Sequence, residues 1–187
     1  MKLVEEITKN DRLNALAAYL NVDANEYFDM DNYFNDNVFK SKQFDEEYLV
    51  LTEKEAYDRA VEEIKSVYDD LGLESFTPQF QDWIVNNAVQ EDFFDNILDE
   101  EIEYFTNEEP DEDRVKALES YRNNPHQYII DYFGLEELSR LVKENNAVDL
   151  DMVAKEAIAQ DGVSHFIALY DGDELDLGNG LYGYRIN

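Results

Sequence analysis

The sequence contains no cysteine and only two histidines. The absence of cysteine excludes disulfides, thiolate metal sites and cysteine nucleophiles, and it fits a reducing cytosol. His126 and His165 are distant in sequence, so a metal site would need both to converge with carboxylates. No phosphate-binding glycine loop, Gly-x-Ser-x-Gly motif or zinc-protease motif occurs. We therefore predict no catalytic residue, no metal site and no cofactor, and we expect the protein not to be an enzyme.

Positive charge is also scarce, with 15 Lys and Arg against 45 Asp and Glu and a formal net charge of −30. A charge of this size repels polyanions, so free nucleic acid and anionic membranes are poor partners. No apolar run approaches the length of a membrane span, and the acidic start does not resemble a signal peptide. These features predict a cytoplasmic protein whose partner is basic.

What the chain has in quantity is apolar and aromatic side chains. Hydrophobic residues make up 44% of the sequence, including 13 Tyr and 11 Phe. Intrinsic disorder combines high net charge with few aromatics, so this composition predicts a folded protein. The length favours a single domain over residues 1–187, with residues 1–45 as an alternative N-terminal helical arm.

The residue periodicity predicts an α+β fold that is mostly α. Helices are expected over residues 3–20, from the Thr52–Glu55 capping box to Leu71, and in several further segments. The buried stripe predicted for the helix after Thr52 consists of Ala56, Ala60, Ile64, Val67 and Leu71. Residues 150–170 are also predicted to be helical. A strand near residues 48–52 is expected to pair with a C-terminal hairpin over residues 173–186, forming a small antiparallel sheet.

The most informative segment is residues 66–113, which contains sixteen Asp or Glu and no Lys or Arg. Residues 13–39 are likewise free of bases. A run of one sign and this length exceeds what solubility requires, so it predicts a surface that meets a basic partner. The carboxylates predicted to bind that partner are Asp69, Asp70, Asp92, Asp95, Asp99, Glu100, Glu101, Glu103, Glu108, Glu109, Asp111, Glu112 and Asp113.

Helical spacing gives this run the capacity to imitate a nucleic acid. Carboxylates at i, i+3 and i+4 lie roughly 5–6 Å apart on a helix. Two antiparallel helices carrying the run would approach one charge per about 2 Å, against roughly 1.7 Å of axis in duplex DNA. Aromatic residues recur beside the acids, and Tyr27, Tyr33 and Phe93 are candidates for exposed rings that anchor the partner.

Two alternatives explain the acids without a partner. The first is a solvated acidic face that keeps the protein soluble. The second is adaptation to high salt, in which acids coat the whole surface evenly. The bases here form two groups, at residues 40–65 and 114–155, which disfavours an even coat.

Two segments resemble a family of small phage and mobile-element proteins whose activity is uncharacterised. The first is EYLVLTEKEA at residues 47–56. The second is DGVSHFIALYDGDEL at residues 161–175, followed by YGYRIN at residues 182–187. The resemblance implies a phage source, and hence the cytoplasm of a host cell. It also implies that His165, Asp171, Gly172 and Arg185 belong to a structural C-terminal unit.

The acidic character is similar in kind to the ArdA-type antirestriction proteins and other phage DNA mimics. This similarity implies a DNA-mimic inhibitor that blocks the nucleic-acid groove of a host restriction or CRISPR effector. One alternative is an acidic adaptor or assembly protein that binds a basic protein without imitating DNA. Another is a small carboxylate and metal enzyme involving His165. A homodimer would extend the charged face and suits a duplex with two-fold symmetry.

Overall fold

The computed structural model describes residues 7–29 and 37–187. Within them the chain has an α+β fold that is mostly helical, as predicted. The elements are α1 (Lys9–Leu20), α2 (Ala24–Tyr27), β1 (Val38–Lys40), β2 (Glu47–Thr52), α3 (Glu53–Leu71), α4 (Pro78–Asn87), α5 (Phe93–Asn107), α6 (Glu112–Glu119), α7 (Pro125–Phe133), α8 (Leu135–Glu144), α9 (Leu150–Asp161), α10 (Val163–Ile167), β3 (Glu174–Gly178) and β4 (Leu181–Arg185). They form two compact units, Met1–Ile64 with Ala154–Asn187 (unit 1) and Lys65–Val153 (unit 2).

Unit 1 is built on an antiparallel sheet with the strand order β1-β2-β4-β3. The predicted hairpin forms, because Asn179 and Gly180 both adopt positive φ (55° and 74°) as a tight two-residue turn requires. Its second strand pairs with β2, which confirms the predicted partner. Strand β1 was not predicted from the sequence, and it adds a fourth strand by pairing Val38 with Leu49.

Each face of this sheet has its own core. On one face α1 packs Leu13 and Leu16 against Tyr48 and Val50 of β2, with the ring of Phe28 fully buried. Helix α1 is therefore an integral part of unit 1. On the other face, the apolar residues of α3 and α10 pack against β2 and β4 through Leu51, Ala56, Ala60, Ile167 and Tyr184.

The start of α3 is fixed by the capping box predicted from the sequence. The backbone N–H of Thr52 donates to a carboxylate oxygen of Glu55 at 2.8 Å, and the Glu55 N–H donates to the Thr52 hydroxyl at 3.3 Å. Arg12, a buried residue of α1, donates two hydrogen bonds of 2.9 Å to the same carboxylate and one of 2.8 Å to the Val50 carbonyl. One ion pair thus joins α1, β2 and α3.

Two helical predictions need correction. Ala56, Ala60 and Ile64 are buried as expected, but Val67 and Leu71 are exposed, and Tyr68 is the buried residue of the last turns. The buried residues of α3 are four positions apart to the end of the helix, whereas the prediction placed Val67 three positions after Ile64. Residues 150–170 do not form one helix, because Gly162 (φ +81°) separates α9 from α10.

Unit 2 consists of short helices. Thr77 caps α4 and Pro78 occupies its first position, as predicted. Trp83 on α4 stacks on the ring of Phe80, with a centroid distance of 5.5 Å. Before α4, Gly72 has φ +66°, and a Cβ at this position would lie 2.6 Å from the hydroxyl oxygen of Ser139. Glycine is required there by both the backbone conformation and the close approach of α8.

Candidate acidic interface

The base-free run lies wholly in unit 2 and extends from the last turns of α3 to the first residues of α6. Helix α5 occupies its centre. Phe94 and Leu98 are the buried residues of this helix, and the opposite face is exposed. Four carboxylates lie on or directly before that exposed face, and we call them the acidic stripe: Asp92, Asp99, Glu100 and Glu103.

The acidic stripe follows helical geometry. At 1.5 Å per residue it extends about 16.5 Å, so its four carboxylates have an average axial spacing of roughly 5.5 Å. A single DNA strand carries about one charge per 3.4 Å of axis, and a duplex about one per 1.7 Å. The stripe is therefore less densely charged than one strand, and its density is far below that of a duplex. Asp95 and Glu101 flank it and are half-buried.

A second concentration of charge follows α5 directly. Five of the six residues from Glu108 to Asp113 are acidic, all of them are exposed, and we call this segment the acidic turn. Asp111 also has a structural role, because its carboxylate accepts the backbone N–H groups of Asp113 and Arg114 and so caps α6. Glu108 and Glu109 lie at the negative end of the α5 dipole, where no basic residue compensates them.

Among the described residues, three bases from outside the run contact acidic residues of the run. Arg122 hydrogen-bonds the carboxylates of Asp99 and Glu119, and these contacts raise the pKa of its guanidinium. Lys116 lies 3.5 Å from Asp113. Lys143 reaches only the main-chain carbonyl of Asp70, at 3.4 Å. Within residues 7–29 and 37–187, the candidates without an ion pair are Asp69, Asp70, Asp92, Asp95, Glu100, Glu101, Glu103, Glu108, Glu109, Asp111 and Glu112.

Unit 1 also exposes carboxylates, but several of these stabilise turns and the hairpin. Asp171 accepts the N–H of Asp173, and Asp176 accepts the N–H of Gly178. Glu174 accepts the hydroxyl of Tyr184 at 2.7 Å. Exposed acids are thus present on both units. Unit 2 differs in their concentration on α5 and in the acidic turn, where only Asp99 and Asp113 of the nine acids have a cationic partner among the described residues.

The residues of the C-terminal motif have structural contacts. The guanidinium of Arg185 lies over the ring of Tyr170 at 3.9 Å and forms an ion pair with Glu46 at 3.2 Å. Gly172 adopts φ +76° in the turn before β3. His165 is exposed, and its ring contacts Phe166.

Two of the three predicted aromatic anchors, Tyr27 and Phe93, lie within the described residues, and both rings are half-buried. Tyr27 lies in unit 1, is half-buried, and donates its hydroxyl to Glu46 at 2.7 Å. Phe93 is half-buried beside Phe94. Tyr33 lies outside the described residues. Tyr27 and Phe93 are therefore only partly exposed, because both pack against neighbouring aromatics, and their role in binding stays a prediction.

Other rings of unit 2 are exposed, and the sequence did not single them out. Tyr104, Tyr132 and Phe133 have exposed fractions of 43%, 45% and 56%, and we call them the aromatic patch. The guanidinium of Arg114 lies 4.3 Å from the ring centre of Tyr132 and 5.5 Å from that of Phe105, the chain neighbour of Tyr104. Desolvation and a hydrogen bond to Glu109 raise the pKa of the Tyr104 hydroxyl.

No metal centre is evident among the residues that the structure describes, since no group of three or more His, Asp or Glu is placed to hold an ion. His126 is half-buried against the ring of Phe94, and its burial lowers its pKa. Within the same residues, no helix combines the length and apolar character needed to cross a bilayer.

The described geometry thus offers an exposed acidic stripe, an acidic turn and an aromatic patch, all in unit 2. Comparison of the chain with protein-family models, with curated proteins and with solved structures gave no match.

Proposed function

We propose that the protein is an acidic inhibitor that binds the nucleic-acid groove of a basic host-defence protein, such as a restriction or CRISPR effector, by imitating a nucleic-acid backbone. The observation that carries the proposal is the set of exposed carboxylates on α5 and in the acidic turn, which, except for Asp99 and Asp113, have no ion pair with any residue that the structure describes. In this proposal the protein has no catalytic activity and needs no cofactor, and it acts in the cytoplasm of the host.

The carboxylates take the place of phosphates. Lys and Arg side chains that line a nucleic-acid groove would pair with Asp92, Glu100 and Glu103 and with the acidic turn. Complementary potentials of this kind accelerate association and make it fall steeply with salt. Because the charge density of the acidic stripe is closer to that of one strand than to that of a duplex, the imitation suits a groove for a single strand, or one strand of a bound duplex.

Several of these carboxylates lie at helix C-termini, where they destabilise the fold. Their retention at such positions supports a role in binding. Asp69 and Asp70 lie in the last turn of α3, and Glu108 and Glu109 follow α5. A carboxylate near a helix C-terminus opposes the helix dipole, with a typical effect of about 0.3–1 kcal/mol. A surface evolved only for solubility has no reason to place acids at helix C-termini when other exposed positions are available.

The aromatic patch would supply the apolar contact of the interface. Exposed Tyr and Phe rings surrounded by charge are the usual anchors of protein interfaces, and Arg side chains of a partner stack on such rings. We therefore propose Tyr104, Tyr132 and Phe133 as anchors.

The aromatic patch also favours a second candidate, the acidic adaptor. A phosphate backbone has no apolar counterpart, so an interface that depends mainly on these rings would bind a basic protein without imitating DNA. The two functions differ in one measurable property, which is competition by nucleic acid for the same partner.

The first experiment reverses charge in two matched sets of exposed acids. The site variant changes Asp92, Glu100 and Glu103 to Lys. The control variant changes Glu26, Asp161 and Asp173 of unit 1 to Lys, so both proteins have the same net charge. Tagged protein captures partners from a bacterial lysate at about 0.1 M and about 0.5 M salt, concentrations that bracket the screening of exposed charges.

The proposal expects a nucleic-acid-binding protein that is captured at low salt, lost at high salt, and lost with the site variant but not with the control variant. Single-stranded or duplex DNA should release it. If DNA fails to displace the partner while the site variant abolishes capture, the adaptor replaces the mimic. Equal capture by both variants would show that neither function resides on the acidic stripe.

A further inference from the structure

An apolar groove opens in unit 1 on the sheet face that α3 and α10 cover. Its volume is about 390 Å³, inside the range of about 300–1,000 Å³ typical of ligand pockets. Apolar side chains from β1, β2, the α10 region and the end of the chain form its floor, and they include Val38, Leu49, Leu51, Phe166, Leu169 and Ile186. Leu169 is 72% exposed, so part of this apolar surface faces solvent.

The groove exists because α3 and α10 cover only part of this face of the sheet. Val38 pairs with Leu49, and both project to the same face as Leu51. Helices α3 and α10 bury Leu51 in the core, whereas Val38 and Leu49 stay half-exposed. The uncovered part of the face therefore lies towards the β1 edge of the sheet.

Helix α3 forms an acidic wall beside this floor. Four carboxylates (Glu55, Asp58, Glu62, Glu63) and one guanidinium (Arg59) line the groove. Arg12 engages Glu55, Lys54 pairs with Asp58, and Arg59 lies 3.4 Å from Glu63. Glu62 is exposed and forms no ion pair with any described residue. Exposed ion pairs between residues of one helix contribute little free energy, so the carboxylates in them stay available to a competing cation.

We propose that this groove binds a segment of another protein in which apolar side chains alternate with Lys or Arg. The floor selects an apolar side chain, and the wall selects the positive charges beside it. The same wall opposes a fatty-acid carboxylate or a phosphate ligand. A second copy of this chain would bring a formal charge of −30 to the contact, which disfavours self-association. The proposal does not depend on the function assigned to unit 2.

The test uses a short synthetic peptide in which Leu and Lys alternate. One reference peptide replaces Leu by Ser, and another replaces Lys by Glu. Affinity is measured by fluorescence anisotropy on the full chain, and methyl NMR follows Leu49, Leu51 and Ile186 during the titration. The Ser peptide is essential, because it reports binding that depends on charge alone, including binding to unit 2.

Two pairs of variants separate the groove from the rest of the surface. Leu169→Ser removes an exposed apolar side chain at the groove, and Tyr19→Ser removes one from α1, which covers the other sheet face. Glu62→Lys reverses a charge on the acidic wall, and Asp161→Lys makes the same change elsewhere in unit 1. All four positions are exposed, so each variant should fold, and circular dichroism checks this.

We expect Leu169→Ser to weaken binding of the Leu and Lys peptide about tenfold, because a leucine side chain buried on binding is lost. Glu62→Lys should weaken it several-fold, and both control variants should stay within about twofold of the wild type. The methyl groups of the floor should shift with the Leu and Lys peptide only. Equal binding of the Ser peptide, equal losses in the controls, or a homodimer dissociated by Leu169→Ser would overturn the proposal.

Discussion

Replacing Arg12 by Leu should be one of the most destabilising single changes in unit 1. Arg12 is 6% exposed, donates to the Val50 carbonyl at 2.8 Å and holds both carboxylate oxygens of Glu55. Leucine fills part of the same volume, but it removes the side-chain donor of the Val50 carbonyl and leaves the Glu55 carboxylate with the donors of Thr52 alone. The variant therefore isolates the polar contribution of this ion pair.

The structure sets the size of the effect. Removing one member of a buried ion pair costs about 3–5 kcal/mol, and a hydrogen bond to a charged group contributes about 1.5–3 kcal/mol. The Glu55 side chain is 41% exposed, so water can solvate the carboxylate that is left behind. We therefore expect a loss near the lower limit, about 3 kcal/mol in the free energy of unfolding.

Urea denaturation of Arg12→Leu, Glu55→Gln and the double variant completes the test as a double-mutant cycle. A coupling energy of about 1–2 kcal/mol is expected, since contacting residues are not additive. Lys54→Leu is the matched control, because it breaks the exposed pair with Asp58 and should cost less than about 1 kcal/mol. A loss below 1 kcal/mol for Arg12→Leu, or no coupling, would refute the reasoning.

The same pair predicts a dependence on pH. Burial alone would raise the pKa of Glu55, but the hydrogen bonds from Arg12 and Thr52 outweigh it, and the folded-state pKa lies below the ordinary value. A carboxyl with a lowered pKa stabilises the fold above its unfolded pKa, and that stability is lost as the pH falls through the folded pKa. The wild type should therefore lose more stability than Glu55→Gln below about pH 4.5.

Two further predictions concern unit 2. Gly72→Ala should cost about 2–3 kcal/mol, because its Cβ would meet the Ser139 hydroxyl in addition to the strain of positive φ, whereas Gly162→Ala, which has open space around it, should cost about 1 kcal/mol from φ alone. Equal losses in urea denaturation would contradict the close approach. Burial lowers the pKa of His126 in the folded state, so the unfolded chain binds a proton at a higher pH than the folded chain does. The free energy of unfolding therefore falls as the pH drops below about 6.5. His126→Gln should remove this part of the pH dependence, and an unchanged dependence from pH 7.5 to 5.5, the window around the histidine pKa, would exclude it.

The features that the sequence predicted correctly are local. The Thr52–Glu55 capping box, the Thr77-Pro78 helix start and the Asn179-Gly180 turn each depend on residues within a few positions of one another. The three residues of β1 have no such pattern, since they become a strand only by pairing with β2. Their existence depends on a partner strand that a local pattern does not specify.

The candidate interface also combines features that a local pattern predicts with features that depend on tertiary contacts. Exposure of Asp99, Glu100 and Glu103 follows from the helical period that buries Phe94 and Leu98. The contact of Arg122 with Asp99 spans 23 residues and could not be predicted from spacing. The aromatic patch was also missed, because a Tyr or Phe beside an acid has the same local pattern whether its ring is buried or exposed. Only tertiary packing distinguishes Phe93 from Phe133.

The single tryptophan of the chain, Trp83, lies within unit 2 and stacks on Phe80. Its emission therefore reports on the helical unit, while the far-ultraviolet dichroism of the whole chain reports on both. Comparing the two transitions tests whether the chain unfolds as one cooperative system, since coincident curves are required for two-state behaviour. The protein thus carries an intrinsic optical probe of one half of its structure, without any label or substitution.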